Sequence, residues 1–206
     1  MFTDLIINNS LLMIVLVIGI ALCLRYIIKK TKRKKYDVSK ITLKDIDLMS
    51  GHDFEDYLQV LFAVNGYDTF VTKKSRDYGA DMLYVNDQDQ KIIVQAKRYQ
   101  AKLGLGSVQE IHAAKSFYQT DMALVITSAE DVTDSCWKLA AATGVVFLLR
   151  EELERIIKYT KQGDVERARE VIDHPLQPEP PKNAELLEPL HISRGKIQAG
   201  EYFYKK

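Results

Sequence analysis

The chain has 206 residues, 47% hydrophobic and 28% charged, with a formal net charge of +1. This excludes a wholly disordered, collagen-like or low-complexity chain, and a globally basic nucleic-acid binder; the length suits one ordinary domain with extensions. Two cysteines, Cys23 and Cys136, sit in unrelated contexts, so neither a disulfide framework nor a cysteine zinc site is supported, and any metal must use oxygen ligands or histidine.

The first predicted element is a membrane-spanning helix. From Leu5 to Ile28 the chain is almost wholly apolar, and Leu11 to Leu24 carries no charge. That reaches the roughly 20 residues needed to cross a ~30 Å hydrocarbon core. A cleaved signal peptide would need early positive charge, but the early charged side chain is Asp4. A lipoprotein cysteine would need a small residue before it, and Leu22 precedes Cys23. Lys29, Lys30, Lys32, Arg33, Lys34 and Lys35 come directly after the span. By the positive-inside rule the bulk of the chain is then expected in the cytoplasm of the cell, with the N-terminus outside. Topology accounts for the basic run, and contact with anionic lipid headgroups or with nucleic-acid phosphates would be an extra.

The expected divisions are 1–28, the N-terminal segment with its span; 29–47, a basic linker; 48–160, one compact domain; and 161–206, a charged extension. Ser50 caps a helix, with Asp53 as its capping-box partner. Phe54, Leu58, Leu61 and Phe62 line one face of it, and Asn65-Gly66 ends it. Strands are predicted over Tyr67–Thr72, Ala80–Val85 and Lys91–Ala96, the last two joined by a turn at Asn86–Asp89. A helix over Val108–Tyr118 turns Val108, Ile111 and Ala114 inward. Then come a strand over Met122–Thr127, a helix over Val132–Ala142, a strand over Val145–Leu149 and a helix from Glu151 to about Tyr159. The order predicts an α/β domain with one central mixed sheet flanked by helices. Asp164–Val171 is helix-compatible, and Pro175, Pro178, Pro180 and Pro181 punctuate the polar stretch beyond it.

Three features converge on a chemical site. Asp81 comes after Asp77-Tyr-Gly-Ala80 on the second strand, Gln95 and Lys97 lie on the third, and Glu55 lies on the first helix. Strand residues two apart share a face, so Gln95 and Lys97 project together and Asp81 can join them from the neighbouring strand. Polar groups ending the apolar run Ile92-Ile-Val94 are costly unless paired, metal-bound or at an open edge.

Several ordered motifs carry a resemblance to a known family: Gly51-His-Asp-Phe-Glu55, Gly66-Tyr67, Asp77-Tyr-Gly-Ala-Asp81, Val94-Gln-Ala-Lys-Arg-Tyr99, Val108-Gln-Glu-Ile111, Val125-Ile-Thr-Ser128 and Gly144–Arg150. Together, over about Leu48 to Ile157, they resemble the Mrr-type (type IV) restriction endonuclease domain, a branch of the PD-(D/E)xK nuclease superfamily. The resemblance implies that superfamily's core fold and a DNA endonuclease active against foreign DNA. It implies Asp81 as the metal-binding aspartate and Gln95 where most of the superfamily has an acid. It implies Lys97 as the catalytic lysine and Glu55 as the helix glutamate that completes the site. The implied cofactor is Mg²⁺, bound by Asp81, Gln95 and Glu55. The chemistry agrees: a bound Mg²⁺ polarises the phosphoryl oxygen and acidifies water, it accepts few protein ligands, and Lys97 offsets developing negative charge.

Lys73, Lys74, Arg76, Arg98 and Lys102 cluster around the motif strands as candidate phosphate contacts. The expected partners are DNA, the membrane lipid bilayer and a second copy of the chain, since cutting both strands with a one-site domain needs two copies. Ser128, His112 and Asp121 lack a nucleophile elbow and are set aside as a hydrolase triad. Two other readings stay open: a catalytically inactive nucleic-acid-binding module, which the neutral Gln95 suggests, and a membrane scaffold using the same fold.

Overall fold

The computed structural model describes residues 13, 16–25, 36–72, 78–179, 191–193, 196–199 and 201–205. The chain divides into two compact units, Met1–Asp37 and Val38–Lys206. In the first, residues 13 and 16–25 are helical. Among the described residues no helix is long and apolar enough to cross a membrane. The remainder of the expected span from Leu5 to Ile28, and the basic run behind it, lie outside the described residues.

The second unit starts earlier than the sequence pattern indicates. A 3₁₀ turn (Val38–Lys40) and helix α1 (Leu43–Leu48) occupy the expected linker. Thr42 and Asp45 form a capping box at the start of α1, and Ile41 and Ile46 are buried. Helix α2 (Gly51–Val64) carries the expected capping box between Ser50 and Asp53. Phe54, Leu58, Leu61 and Phe62 are buried along one face of it, as the helical period requires. Asn65 ends α2; its side-chain amide donates to the Leu61 carbonyl at 2.8 Å and to the Thr160 hydroxyl at 2.9 Å.

Strands β1 (Asp68–Val71), β2 (Met82–Val85) and β3 (Lys91–Lys97) form the expected antiparallel meander. Helix α3 (Gly106–Tyr118) leads to β4 (Met122–Thr127), and helix α4 (Asp134–Thr143) leads to β5 (Val145–Leu148). β3, β4 and β5 run parallel, so the five-stranded sheet is mixed and ordered β1-β2-β3-β4-β5. Helix α5 (Arg150–Gln162) comes next, ending at Gly163 in the left-handed region.

The two-residue period of β3 sorts its side chains between two cores. Ile92, Val94 and Ala96 join Phe54, Leu58, Phe62, Leu153 and Ile156 on the face covered by α2 and α5. Ile93 joins Val108, Ile111, Ala114, Cys136 and Ala140 on the face covered by α3 and α4.

The unit also continues past the expected end at residue 160. Helix α6 (Val165–Asp173) buries Ala168, Val171 and Ile172. Leu176 then pairs with Phe147 through two backbone hydrogen bonds of 2.8 and 3.0 Å, so the chain up to the first prolines is tied to the sheet. Strands β6 (His191–Ser193), β7 (Lys196–Ala199) and β8 (Tyr202–Lys205) form a separate antiparallel sheet, where the sequence alone shows no element.

Candidate active site

The C-terminal half of β3 supplies the site. Ile93, Gln95 and Lys97 share the face that α3 covers, and only Ile93 can be satisfied there by apolar packing. Gln95 is 3% exposed. The end of the strand is pinned from β4: the Thr127 hydroxyl donates to the Lys97 carbonyl at 2.6 Å, and the Ser128 hydroxyl donates to the Tyr99 carbonyl at 3.0 Å.

Glu110, on α3, meets both polar side chains. Its Oε2 accepts Gln95 Nε2 at 2.7 Å and lies 3.1 Å from Lys97 Nζ. Partial burial opposes the charged form of Glu110. The hydrogen bonds from Gln95 and Lys97, with the lysine charge, outweigh it and hold the carboxyl below the usual range. Glu110 is absent from the site residues expected from the sequence. Its available signal was an acid between the inward residues Val108 and Ile111, on the helix packed over Gln95 and Lys97.

Asp81, the residue before β2, approaches the same strand. Its backbone N–H donates to the Val94 carbonyl at 2.9 Å, although the residue opposite Val94 is Met82. Two residues of one strand therefore face one of the other, a bulge that re-aims the side chain. The carboxylate Oδ2 then accepts the backbone N–H of Ala96 at 2.7 Å, between Gln95 and Lys97. The turn before it explains part of the Asp77–Asp81 motif. Gly79 has φ +84°, and a Cβ there would stand 2.9 Å from Glu110 Cβ and 3.1 Å from its carbonyl oxygen. Only glycine lets this turn lie against α3 beside Glu110.

The residues present fit a divalent metal at Asp81 and Gln95. Gln95 Oε1 is buried and has no hydrogen-bond partner among the described residues. A buried amide oxygen left without a donor costs free energy that a cation would offset. With the Asp81 carboxylate it would offer an all-oxygen donor set suited to Mg²⁺, which keeps most of its waters. Among the described residues no group of three or more His, Cys, Asp or Glu gathers as a metal centre.

The other candidates are placed differently. Glu55 lies on α2, whose buried side chains pack on the sheet face of Val94 and Ala96, opposite that of Gln95 and Lys97. Its carboxylate contacts His52 Nδ1 at 3.1 Å. Arg98 is turned away from Lys97 by the strand period and reaches the Asp47 carbonyl at 3.4 Å. Asp47 itself forms a two-pronged pair with Arg150, 2.7 Å on each side. Lys102 is exposed and pairs with Asp131. Lys73, Lys74 and Arg76 lie outside the described residues. Cys136 is in the core, where burial pushes its thiol up to about 11, as befits a packing residue. Asp121 accepts the Lys91 backbone N–H at 2.8 Å, a structural role that agrees with setting the triad aside.

A family model described as Mrr_cat, restriction endonuclease, matches residues 46–157, more than half of the chain. No curated protein matches the chain. Among solved structures it is similar to the DNA modification-dependent restriction endonuclease AspBHI, at 13% identity and a TM-score of 0.45, covering 68% of this chain and 40% of that one. It is also similar to a repair endonuclease from Pyrococcus abyssi, at 17% identity and a TM-score of 0.36, covering 55% of this chain and 47% of that one. The MspJI restriction endonuclease in complex with a 27-mer oligonucleotide matches at 12% identity and a TM-score of 0.39, covering 70% of this chain and 36% of that one. The chain thus spans less than half the length of each of these proteins.

Proposed function

The chain belongs to the Mrr_cat restriction endonuclease family, with a restriction-type DNA endonuclease domain over residues 46–157, and on that footing we propose that it hydrolyses DNA phosphodiester bonds with Mg²⁺ held by Asp81 and Gln95. The observation that carries this reading is the buried, unpartnered Gln95 Oε1 on the strand that also receives the Asp81 carboxylate. When bound, the metal supplies Lewis-acid polarisation of the phosphate and an acidified water.

The chain's own residues do the rest. Asp81 brings the negative charge, and its hydrogen bond from Ala96 keeps one oxygen aimed at β3. Gln95 offers a neutral oxygen. Lys97 places an ammonium beside them, where it offsets the charge that grows on the phosphate oxygens and orients the attacking water. Glu55 remains the candidate for a further carboxylate from α2, and Glu55→Gln tests it. The role we assign is restriction of foreign DNA, with two copies acting together on the two strands.

We also propose that the domain is anchored in the membrane by the apolar run before it and lies on the cytoplasmic side. The uncharged stretch from Leu11 to Leu24 and the basic residues from Lys29 to Lys35 support this. So does the exposure of Leu16, Val17, Ile18, Ile20, Leu22 and Leu24 along the described part of that helix. Membrane fractionation tests it: release of the full chain by salt or carbonate, without detergent, rules the anchor out.

The test of the activity uses the full chain in detergent with methylated and unmethylated plasmid DNA, in Mg²⁺ or EDTA. Cleavage that needs the metal and disappears in Asp81→Ala and Lys97→Ala is the expected result. Folded protein that shifts DNA in a gel but cuts none of it would favour the second reading, a binding module, to which the neutral Gln95 points. Neither cleavage nor binding would favour the scaffold.

A further inference from the structure

We propose that Glu110 is a positioning residue that decides which end of the Gln95 amide is presented to the metal, and that it holds Lys97 beside that amide. The inference rests on the metal-site reading above and adds to it a residue on α3 that touches neither substrate nor metal.

Glutamine and an acid differ at such a site. A carboxylate at position 95 would offer an oxygen in either orientation. An amide has an acceptor on one side and donors on the other, so a metal site built on glutamine needs something to choose the orientation. Glu110 makes that choice. Its Oε2 accepts Gln95 Nε2 at 2.7 Å. The flipped amide would set an uncharged oxygen against a carboxylate oxygen and strand its own donors. With the nitrogen engaged, Oε1 is the atom left buried and without a partner among the described residues. The same Oε2 lies 3.1 Å from Lys97 Nζ, so one anion organises both residues of the Gln95-Ala-Lys97 motif. It also returns, one hydrogen bond away, the negative charge that glutamine lacks. The close approach of Gly79 to Glu110 ties the loop that leads into Asp81 to the same residue.

The test is a double-mutant cycle read by Mn²⁺ titration of the full chain, with the melting temperature followed alongside. The Glu110 side chain is 51% exposed, so the substituted chains are expected to fold. Glu110→Ala is expected to weaken Mn²⁺ binding by about 10- to 100-fold, the range typical of residues that orient a metal ligand. Glu110→Gln, whose carbonyl oxygen still accepts from Gln95, is expected to lose less. The decisive arm is Gln95→Glu, in which the ligand no longer needs orienting. In that background Glu110→Ala is expected to leave Mn²⁺ binding unchanged or to improve it, because two neighbouring carboxylates no longer repel. An equal loss in both backgrounds would mean that Glu110 merely braces α3 against β3, and would overturn the proposal. So would a folded Glu110→Ala chain with the parent's Mn²⁺ affinity, which leaves the metal site standing. A parent chain that binds no Mn²⁺ and cuts no DNA would overturn the metal-site reading and this one together.

Discussion

The Asp81 carboxylate accepts the backbone N–H of Ala96 at 2.7 Å, so the acid just before β2 is fastened to the strand that carries Gln95 and Lys97. This bond separates two roles of Asp81. Asp81→Asn keeps an oxygen for Ala96 and loses the charge, whereas Asp81→Ala loses both. A bound metal contributes several kcal/mol to the transition state, about a hundredfold or more in rate. Both variants are therefore expected to lose cleavage by at least that factor. Asp81→Asn is expected to keep the parent's stability, and Asp81→Ala to lose about 1–2 kcal/mol by leaving the Ala96 N–H unpaired. Plasmid cleavage and thermal unfolding measure the two effects, and an active Asp81→Asn enzyme would remove Asp81 from the chemistry.

Lys97→Met keeps the apolar stem of the side chain and removes the ammonium. If Lys97 acts on charge that develops during the reaction, kcat falls by about 10²–10³-fold while KM for DNA changes little. A rise in KM with kcat unchanged would make Lys97 a binding residue only. Steady-state cleavage of a short duplex distinguishes them.

Gly79 and Gly104 make a matched pair. Alanine at Gly79 must adopt φ +84° and place its Cβ 2.9 Å from Glu110 Cβ, whereas a Cβ at Gly104 meets nothing within 4 Å. Gly79→Ala is expected to cost about 1–3 kcal/mol and to reduce cleavage by shifting the approach to Asp81. Gly104→Ala is expected to stay within about 0.5 kcal/mol of the parent. Equal stability of the two variants in denaturant unfolding would show that the turn does not need glycine.

The Asp47–Arg150 pair predicts a pH dependence of stability. Hydrogen bonds from the Arg150 guanidinium hold the Asp47 carboxyl below its ordinary value. A carboxylate whose folded pKa is depressed contributes stability that is present above its unfolded pKa of about 3.9 and is lost as pH falls through the folded value. Asp47→Asn is therefore expected to be less stable than the parent near neutral pH, by about 1–2 kcal/mol. The two should converge as pH falls through the depressed folded value and the carboxyl protonates. Urea unfolding across that range checks it, and a gap that persists into strong acid would mean that the cost comes from packing.

Where the signal is local, the amino-acid sequence was readable. The Ser50–Asp53 capping box needs only residues three apart, and α2 begins where it predicts. Alternation over Lys91–Lys97 placed Gln95 and Lys97 on one face, and the structure keeps them there with a common partner. The expected position of Asp81 beside β3 was also legible, because a hairpin brings neighbouring strands together. The bulge that turns its carboxylate onto Ala96 was not, since a ladder's slip depends on both strands at once.

What lay beyond reach involves partners distant along the chain. Glu110 reads as one surface acid among many until α3 is laid on β3, 15 residues away in sequence from Gln95. Arg98 reads as a free cation beside a catalytic lysine, but the strand period sends it to the other face and the Asp47 carbonyl. Asp47 and Arg150 are 103 residues apart, and no periodicity links them. The pairing of Leu176 with Phe147 at the sheet's edge is of the same kind. The sequence by itself determined the order of elements from α2 to α5, the capped start of α2 and the face of β3 that carries the polar motif, because these depend on the residue period and on contacts within a few residues. Only the tertiary structure decided that Glu110 organises that motif and that Gln95 Oε1 is left unpartnered, because satisfying a buried polar group depends on whichever distant side chain packing delivers to it.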